Sequence, residues 1–239
     1  MRLRAARRTL VRSMDVSKAE VVEVLRPRTR INDAERTKQD IVEAATEEFA
    51  TNGLSGGRVD AIAARTRTTK RMIYYYFGSK EGLYIAVLEK AYGNIRAHEL
   101  RLHVDLLAPV AAISRLVEFT FDYQDAHPEF VRLVSIENIH RAEYIAQSSK
   151  LRTVNAPIID TITRILKRGR SEGVFKSQID AFDLHVLISS FCYFRVSNRY
   201  TLGAIFGRDV SEPVLRARHK RMLTDAIVAL LEAPEAGTA

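Results

Sequence analysis

Apolar side chains recur every three to four residues from residue 32 onward, which is the period of an amphipathic α-helix. Ile41, Ala45 and Phe49 illustrate the pattern, because they stand at positions i, i+4 and i+8 and share one helix face. No segment shows the alternation of apolar and polar residues that is typical of a half-buried strand. The pattern therefore predicts an all-α protein of about nine helices. The predicted helices span residues 32–53, 59–66, 69–77, 80–102, 109–126, 128–147, 151–172, 181–204 and 212–232.

Capping residues locate several of these helix ends. Asn32, with Glu35 three residues later, has the spacing of a capping box, and Asn52-Gly53 is typical of a helix end. Asp180 stands where an N-cap is expected. Proline favours the first turn of a helix, and three predicted helices begin with or beside one: Pro109, Pro128 and Pro213.

Charge is distributed unevenly along the 239 residues. The net charge is +8, and 46% hydrophobic residues with 28% charged residues are typical of a globular protein rather than a disordered one. Residues 1–31 carry +6 and residues 58–77 carry +4, while the segment between them carries −4. Concentrated basic charge indicates a polyanionic partner.

The first basic block has no apolar period, so we expect residues 1–31 to be a disordered extension. An alternative is a basic arm that follows a DNA backbone or enters a minor groove. We expect residues 233–239 to be a disordered tail. No apolar run approaches the roughly 20 residues of a membrane helix. The single cysteine, Cys192, cannot form an internal disulfide, and we expect a cytoplasmic protein without a membrane partner.

Two short helices with a tight connection at residues 65–68 are typical of a helix-turn-helix unit. The second helix of such a unit enters the major groove of DNA, where its first residues face the base edges. Those residues are Thr69, Lys70, Arg71 and Met72. Lysine and arginine can donate to guanine or to phosphate, and a methionine side chain can contact a thymine methyl group. The pattern predicts double-stranded DNA as a partner.

Three consecutive tyrosines, residues 74–76, precede Phe77. Successive helical side chains point about 100° apart, so the three rings cannot all be buried. We expect Tyr75 to join Ile73 and Phe77 on the buried side. Tyr74 and Tyr76 are then expected to face DNA phosphates.

The segment from Ile73 to Leu83 reads IYYYFGSKEGL. It resembles the end of the DNA-binding domain of the TetR family of bacterial transcriptional regulators, and the resemblance covers about residues 36–97. The resemblance implies a helix-turn-helix domain over residues 32–79 and a helical effector-binding and dimerisation domain over residues 80–232, with 80–102 as the connecting helix. It implies a homodimeric repressor that binds a palindromic operator and is released by a small-molecule effector. It also implies backbone contacts from Tyr74, Tyr76 and Lys80.

Two departures from the family pattern affect the expected contacts. Arg67 stands in the turn where members commonly have glycine, and a non-glycine residue at positive φ costs on the order of 1 kcal/mol, so we expect a different turn shape. Arg58-Val59 replaces the usual hydroxyl residue at the start of the second helix. We therefore include Arg58, Val59 and Arg67 among the expected DNA-binding residues.

The resemblance further implies that the last two long helices pack against a partner subunit. Apolar residues expected in that interface are Leu184, Leu187, Ile188, Phe191, Leu215, Met222, Leu223 and Leu230. An effector pocket needs apolar walls with a few polar groups. Candidate walls are Phe119, Tyr123, Phe130, Tyr193 and Phe194, and candidate polar anchors are His127, Glu137, His140, Arg141 and Arg195. Ordinary core packing or a surface salt bridge is the alternative for each of them.

A metal-binding helical bundle is the rival interpretation. Glu137 and His140 form the Glu-x-x-His step that di-iron bundles use, but the sequence contains no second step of this kind. No phosphate-binding loop or set of catalytic residues is recognisable. We therefore expect neither an enzyme nor a cofactor.

Overall fold

The computed structural model describes residues 30–234, with side chains from residue 33 onward. This part of the chain forms ten α-helices and no strand. The helices are α1 (Arg30–Gly56), α2 (Val59–Arg65), α3 (Lys70–Phe77), α4 (Lys80–Leu100), α5 (Pro109–Ala126), α6 (Pro128–Ile139), α7 (Ser149–Ser171), α8 (Ala181–Ser197), α9 (Arg199–Phe206) and α10 (Pro213–Glu232). The described residues exclude 1–29, which form most of the predicted extension, and 235–239, which form most of the predicted tail.

Local capping signals predicted most helix starts correctly. Thr69 and Ser79 cap α3 and α4, because their hydroxyl oxygens accept hydrogen bonds from the backbone N–H group of the third residue of each helix. Asp180 caps α8 in the same way, since its carboxylate accepts from the backbone N–H of Asp183 at 2.8 Å. Pro109, Pro128 and Pro213 each occupy a first turn. The capping box predicted at Asn32 is wrong, because α1 already begins at Arg30.

Two predicted helix ends are also wrong. The segment predicted as one helix over 128–147 ends at Ile139, where Arg141 and Ala142 adopt φ values of 55° and 59° and reverse the chain. The Glu137 carboxylate holds this reversal by accepting a hydrogen bond from the backbone N–H of Ile145 at 3.0 Å. The segment predicted over 181–204 is divided at Asn198 into α8 and α9.

The first core is formed mainly by α1 to α4. Ile41, Phe49, Ile62, Ile73 and Tyr84 are fully buried in it, and the Phe49 and Tyr84 rings pack edge to face at 5.3 Å. Leucines from α6 and α7 complete the same core. The helix-turn-helix segment is therefore packed directly on the rest of the protein.

The second core lies between α5, α7, α8 and α10. A partly buried ion network joins three of these helices. Arg195 on α8 pairs with Asp125 on α5 and donates to the backbone oxygen of Val210. Arg216 on α10 pairs with Asp125 and, at 2.6 Å, with Asp122. Arg195, which was predicted as a pocket anchor, therefore joins α8 to α5 and to the segment before α10.

Candidate nucleic-acid interface

Each of α2 and α3 contributes one fully buried isoleucine, Ile62 and Ile73, and the packing of these side chains holds the two helices close together across a tight turn. Arg67 lies in this turn at a φ of 52°, in the left-handed region. The expectation of a different turn shape is therefore wrong, since arginine adopts the conformation that glycine favours, at a cost of about 1 kcal/mol. The Arg67 side chain is exposed beside the start of α3.

The first turn of α3 presents the residues expected to read bases. The Oγ1 atom of Thr69 accepts a hydrogen bond from the Met72 backbone N–H at 3.2 Å, which fixes the start of the helix. Thr69, Lys70, Arg71 and Met72 are all exposed. Lys70 Nζ lies 3.2 Å from Asp60 Oδ2, whereas Arg71 forms no ion pair with any described residue. Arg71 is therefore the cation of this turn that remains available to bind DNA.

The prediction of a buried Tyr75 is wrong, and Tyr76 is half-buried rather than fully exposed. Tyr75 is 77% exposed, whereas Tyr76 packs against the first core beside Phe77 and Ile73. The reason is helical geometry, because Tyr76 and Phe77 lie at i+3 and i+4 from buried Ile73, while Tyr75 lies about 200° from it. Tyr74 is exposed as expected. Tyr75 is therefore an additional exposed residue of the candidate interface. Its exposure could have been predicted from its angular position on the helix, at 100° per residue from buried Ile73.

The remaining predicted contacts divide into exposed and structural residues. The side chain of Val59 is 6% exposed and belongs to the first core, so the prediction that it contacts DNA is wrong. Arg58 is exposed, and its backbone N–H donates to Glu48 Oε1 at 3.0 Å. Lys80 Nζ donates to the backbone oxygen of Ser55 at 3.2 Å, which ties α4 to the end of α1. A lysine ammonium has three donors, so two remain for a phosphate.

Two family models match the chain. Residues 41–87 match the model described as bacterial regulatory proteins, tetR family. Residues 109–227 match the model described as tetracyclin repressor-like, C-terminal domain. The chain belongs to the TetR family of transcriptional regulators. Members of this family regulate transcription and are not enzymes.

Relatives of known function and solved structures agree with the family assignment. The chain is 36% identical over 196 residues to the HTH-type transcriptional repressor NicS of Pseudomonas putida, covering 82% of this chain and 92% of NicS. It is 35% identical over 164 residues to the HTH-type transcriptional repressor SCO4008 of Streptomyces coelicolor, covering 65% and 76%. Among solved structures, the regulator SCO4942 of Streptomyces coelicolor gives a TM-score of 0.61 at 27% identity, over 83% of this chain and 99% of that one. FadR of Bacillus subtilis in complex with stearoyl-CoA gives 0.58 at 18% identity, over 82% and 97%, which shows the fold alone.

This TetR-family regulator has an uncovered apolar groove between α8 and α10. Leu187, Phe191, Phe194, Met222 and Ala226 line it. Three of them are strongly exposed, and Phe194 is 56% exposed although it was predicted as a pocket wall. Leu230 is exposed farther along α10, and Leu215 is half-buried near its start.

Three residues predicted to contact a partner lie in the second core instead. Leu184, Ile188 and Leu223 are buried within this chain, because α8 packs against α5 and α7 on that side. The prediction that they face a partner is wrong for this reason. The residues that remain available lie on the opposite side of α8 and α10.

A cavity of about 410 Å³ lies between α4, α5, α6 and α8. Phe130 and Tyr193 line it as predicted, together with Tyr92. Phe119 and Tyr123 pack behind these walls in an aromatic cluster and do not line the cavity.

The predicted polar anchors lie outside the cavity. His127 stacks on Tyr123 at 4.2 Å and pairs with Glu129, with 2.9 Å between Nδ1 and Oε1. Glu137, His140 and Arg141 belong to the chain reversal after α6. Their positions in the sequence do not show which helix face turns toward α4.

The polar groups that do line the cavity were missed by sequence reasoning. Arg96 and Glu99, both on α4, form an ion pair at 2.6 Å and are almost fully buried. Burial raises the pKa of Glu99 to about 7, and the Arg96 guanidinium opposes that rise. Burial lowers the pKa of His185 to about 4, and the positive charge of Arg96 lowers it further. The imidazole is therefore neutral at pH 7.

The rival metal site finds no support in residues 30–234. Within this part of the chain no three or more histidine, cysteine or acidic side chains cluster as metal ligands do. Glu137 instead accepts a backbone hydrogen bond from Ile145. No helix in the same range is long and apolar enough to cross a membrane.

Proposed function

We propose that this TetR-family protein is a homodimeric, cytoplasmic repressor that binds a palindromic operator in double-stranded DNA and is released by a small-molecule effector. Residues 32–79 would bind DNA, and residues 80–232 would bind the effector and the partner subunit. The relatives NicS and SCO4008 are named as repressors, which supports repression rather than activation.

The observation that carries the proposal is the exposed first turn of α3. Thr69 fixes the start of the helix, and Arg71 beside it is a cation that no described carboxylate neutralises. Arginine donates to the two acceptor atoms on the major-groove edge of guanine. Exposed Tyr74 and Tyr75 supply hydroxyl groups for the flanking phosphates.

The length of α3, which has only eight residues, supports a dimer. One short helix contacts few base pairs, whereas two helices placed one DNA turn apart read a palindrome. The apolar groove between α8 and α10 supports this part of the proposal, because apolar grooves left uncovered in a monomer are typical of interfaces.

Helix α4 is the element suited to couple effector and DNA. It begins at Lys80, directly after α3, and carries Arg96 and Glu99 at the cavity about four to five turns later. A ligand that favours one position of α4 therefore favours one position of α3. Coupling of about 1–3 kcal/mol would weaken operator binding about 5- to 150-fold, and the operator would weaken effector binding by the same factor.

Replacing Arg71 by alanine tests the base-reading role. We expect binding to a selected operator to weaken by about 1–3 kcal/mol and specificity to relax at one position of each half-site. Arg152→Ala is the matched control, because Arg152 is an exposed arginine on α7. Fluorescence anisotropy with operator and mutated operators measures both effects. Equal binding by the two variants would contradict the assignment of Arg71.

A further inference from the structure

Helix α8 forms a wall of both the cavity between α4, α5, α6 and α8 and the apolar groove between α8 and α10. Val186 and Ser189 line the cavity, whereas Leu187 and Phe194 line the groove. Ser190 lines both. The cavity and the groove therefore adjoin each other at the surface of α8.

The face of α8 where they adjoin is exposed and uncharged. Val186, Ser190 and Phe194 stand four residues apart and share one side of the helix. Val186 is 46% exposed, and Ser190 is exposed as well. With Leu187, these are the exposed residues of α8 between 186 and 194, and none of them is charged. Because Val186 and Ser190 also line the cavity, the cavity reaches the protein surface along this face.

The angular positions on α8 explain this arrangement. Successive helical residues point about 100° apart, so Ser189 lies on one side of Ser190 and Phe191 lies on the other. Ser189 lines the cavity and Phe191 lines the groove. Leu184 and Ile188, on the remaining side of the helix, are buried in the second core. The opening of the cavity and the groove are thus neighbouring sectors of one helix surface.

A helix that fills the groove must also cover this opening. A helix with its side chains is about 10 Å across, and packed helices lie about 8–10 Å apart. Ser190 borders both sites, so no other part of the chain separates them on α8. Whatever packs into the groove therefore reaches the mouth of the cavity.

The chemistry of the surface favours a second copy of this chain as the occupant. A twofold dimer places the same patch of both subunits face to face, so charged residues near its centre would meet like charges. The exposed residues of α8 from 186 to 194 are uncharged, and α10 adds Met222 and Ala226 to the groove. An uncharged, largely apolar patch can pack against its own copy without this penalty.

We propose that the partner subunit completes the cavity by covering its opening at Val186 and Ser190. The proposal rests on the proposed function, because it requires a dimer formed through α8 and α10. The effector then occupies a chamber that is closed only in the dimer. Effector binding and dimerisation therefore stabilise each other, since a ligand that binds better to the dimer shifts the equilibrium toward it.

A thiol placed in the cavity tests this closure without a known effector. Ser189→Cys puts the thiol on the cavity wall, where residue 189 is half-buried in the single chain. Labelling by N-ethylmaleimide, a small neutral reagent, is measured on the full chain above and below the dimer Kd, and again with Phe194→Ala added to weaken the dimer. Sedimentation velocity gives the subunit state of each sample. The native Cys192 is buried, and its slow reaction in the parent chain is subtracted.

We expect the Ser189→Cys thiol to react about tenfold more slowly, or slower still, in the dimer than in the monomer, because closure removes access of the reagent. Ser149→Cys is the matched control. Ser149 is the exposed first residue of α7 and lines neither the cavity nor the groove. Its thiol is expected to react at the same rate in both states.

The possible failures of closure and of dimerisation give different results. If the chain dimerises and the Ser189→Cys thiol reacts equally in both states, the closure is refuted and the dimer stands. Absence of labelling in both states, or equal slowing of the Ser149→Cys control, would also overturn the closure. A chain that stays monomeric at every concentration would contradict the dimer of the proposed function itself, and the closure would fail with it.

Discussion

Replacing Phe194 by alanine removes the most exposed aromatic side chain of the groove between α8 and α10. Phe194 is 56% exposed in the single chain. It lines the groove together with Leu187 and Met222. If this groove is the subunit interface, the ring is buried on dimerisation, and its loss weakens the dimer without affecting the chain's own cores.

The magnitude follows from the exposed area. A phenylalanine side chain offers about 200 Å², so the 56% exposure corresponds to roughly 110 Å². Alanine retains a small part of this area, and at about 25 cal/mol per Å² the loss is about 2 kcal/mol for each subunit. A twofold dimer loses both rings, so we expect a loss of about 4 kcal/mol, or roughly a thousandfold increase in the dimer Kd.

Sedimentation velocity with fluorescence detection, over a concentration series, measures the dimer Kd. Ile139→Ala is the matched control, because Ile139 is a strongly exposed apolar residue at the end of α6, away from the groove. The control is expected to dimerise like the parent. A Phe194→Ala protein with the Kd of the control would refute the placement of the interface on α8 and α10.

Three further predictions concern stability, reactivity and capping. Gly169→Ala places a Cβ atom 1.9 Å from the buried Phe175 ring, so we expect the free energy of unfolding, measured with denaturant, to fall by about 3 kcal/mol. Gly93→Ala is the control, because its Cβ atom meets nothing within 4 Å. Equal stability of the two variants would contradict this packing. Burial raises the pKa of the Cys192 thiol to about 12. We therefore expect the folded protein at pH 9 to react with iodoacetamide about a thousandfold more slowly than the unfolded chain. Similar rates would argue against a buried thiol. Thr69→Ala removes the N-cap of α3. We expect all DNA sequences to bind about 1 kcal/mol more weakly in anisotropy titrations. A loss confined to the selected operator would instead indicate base contact by the hydroxyl group.

The helix order and most helix starts could be predicted from the sequence, because their causes are local. Thr69, Ser79 and Asp180 cap the backbone three residues away, and a proline at the first turn needs no distant partner. The end of α6 could not be predicted in this way. It depends on a hydrogen bond between the Glu137 carboxylate and the backbone of Ile145, eight residues later.

The exposed first turn of α3 could be predicted because its spacing follows from a recognisable motif. The cavity could not, since its character depends on which faces of α4, α5, α6 and α8 meet. Arg96 and Gln124 stand on ordinary helical segments, and only packing shows that both border one cavity. The predicted anchors, such as Arg195 and His127, are equally polar but have partners elsewhere.

Selection of bound sequences from random double-stranded DNA tests whether the chain is a dimer that reads DNA through α3. We expect the full chain to enrich one sequence with twofold symmetry, whose half-sites lie about one turn, or 10 base pairs, apart. Arg71→Ala is expected to lose the preference at one position in each half-site, and Arg152→Ala is expected to keep it. Enrichment of no sequence, or of a sequence without twofold symmetry that Arg71→Ala binds equally well, would contradict a dimeric regulator that reads DNA through α3.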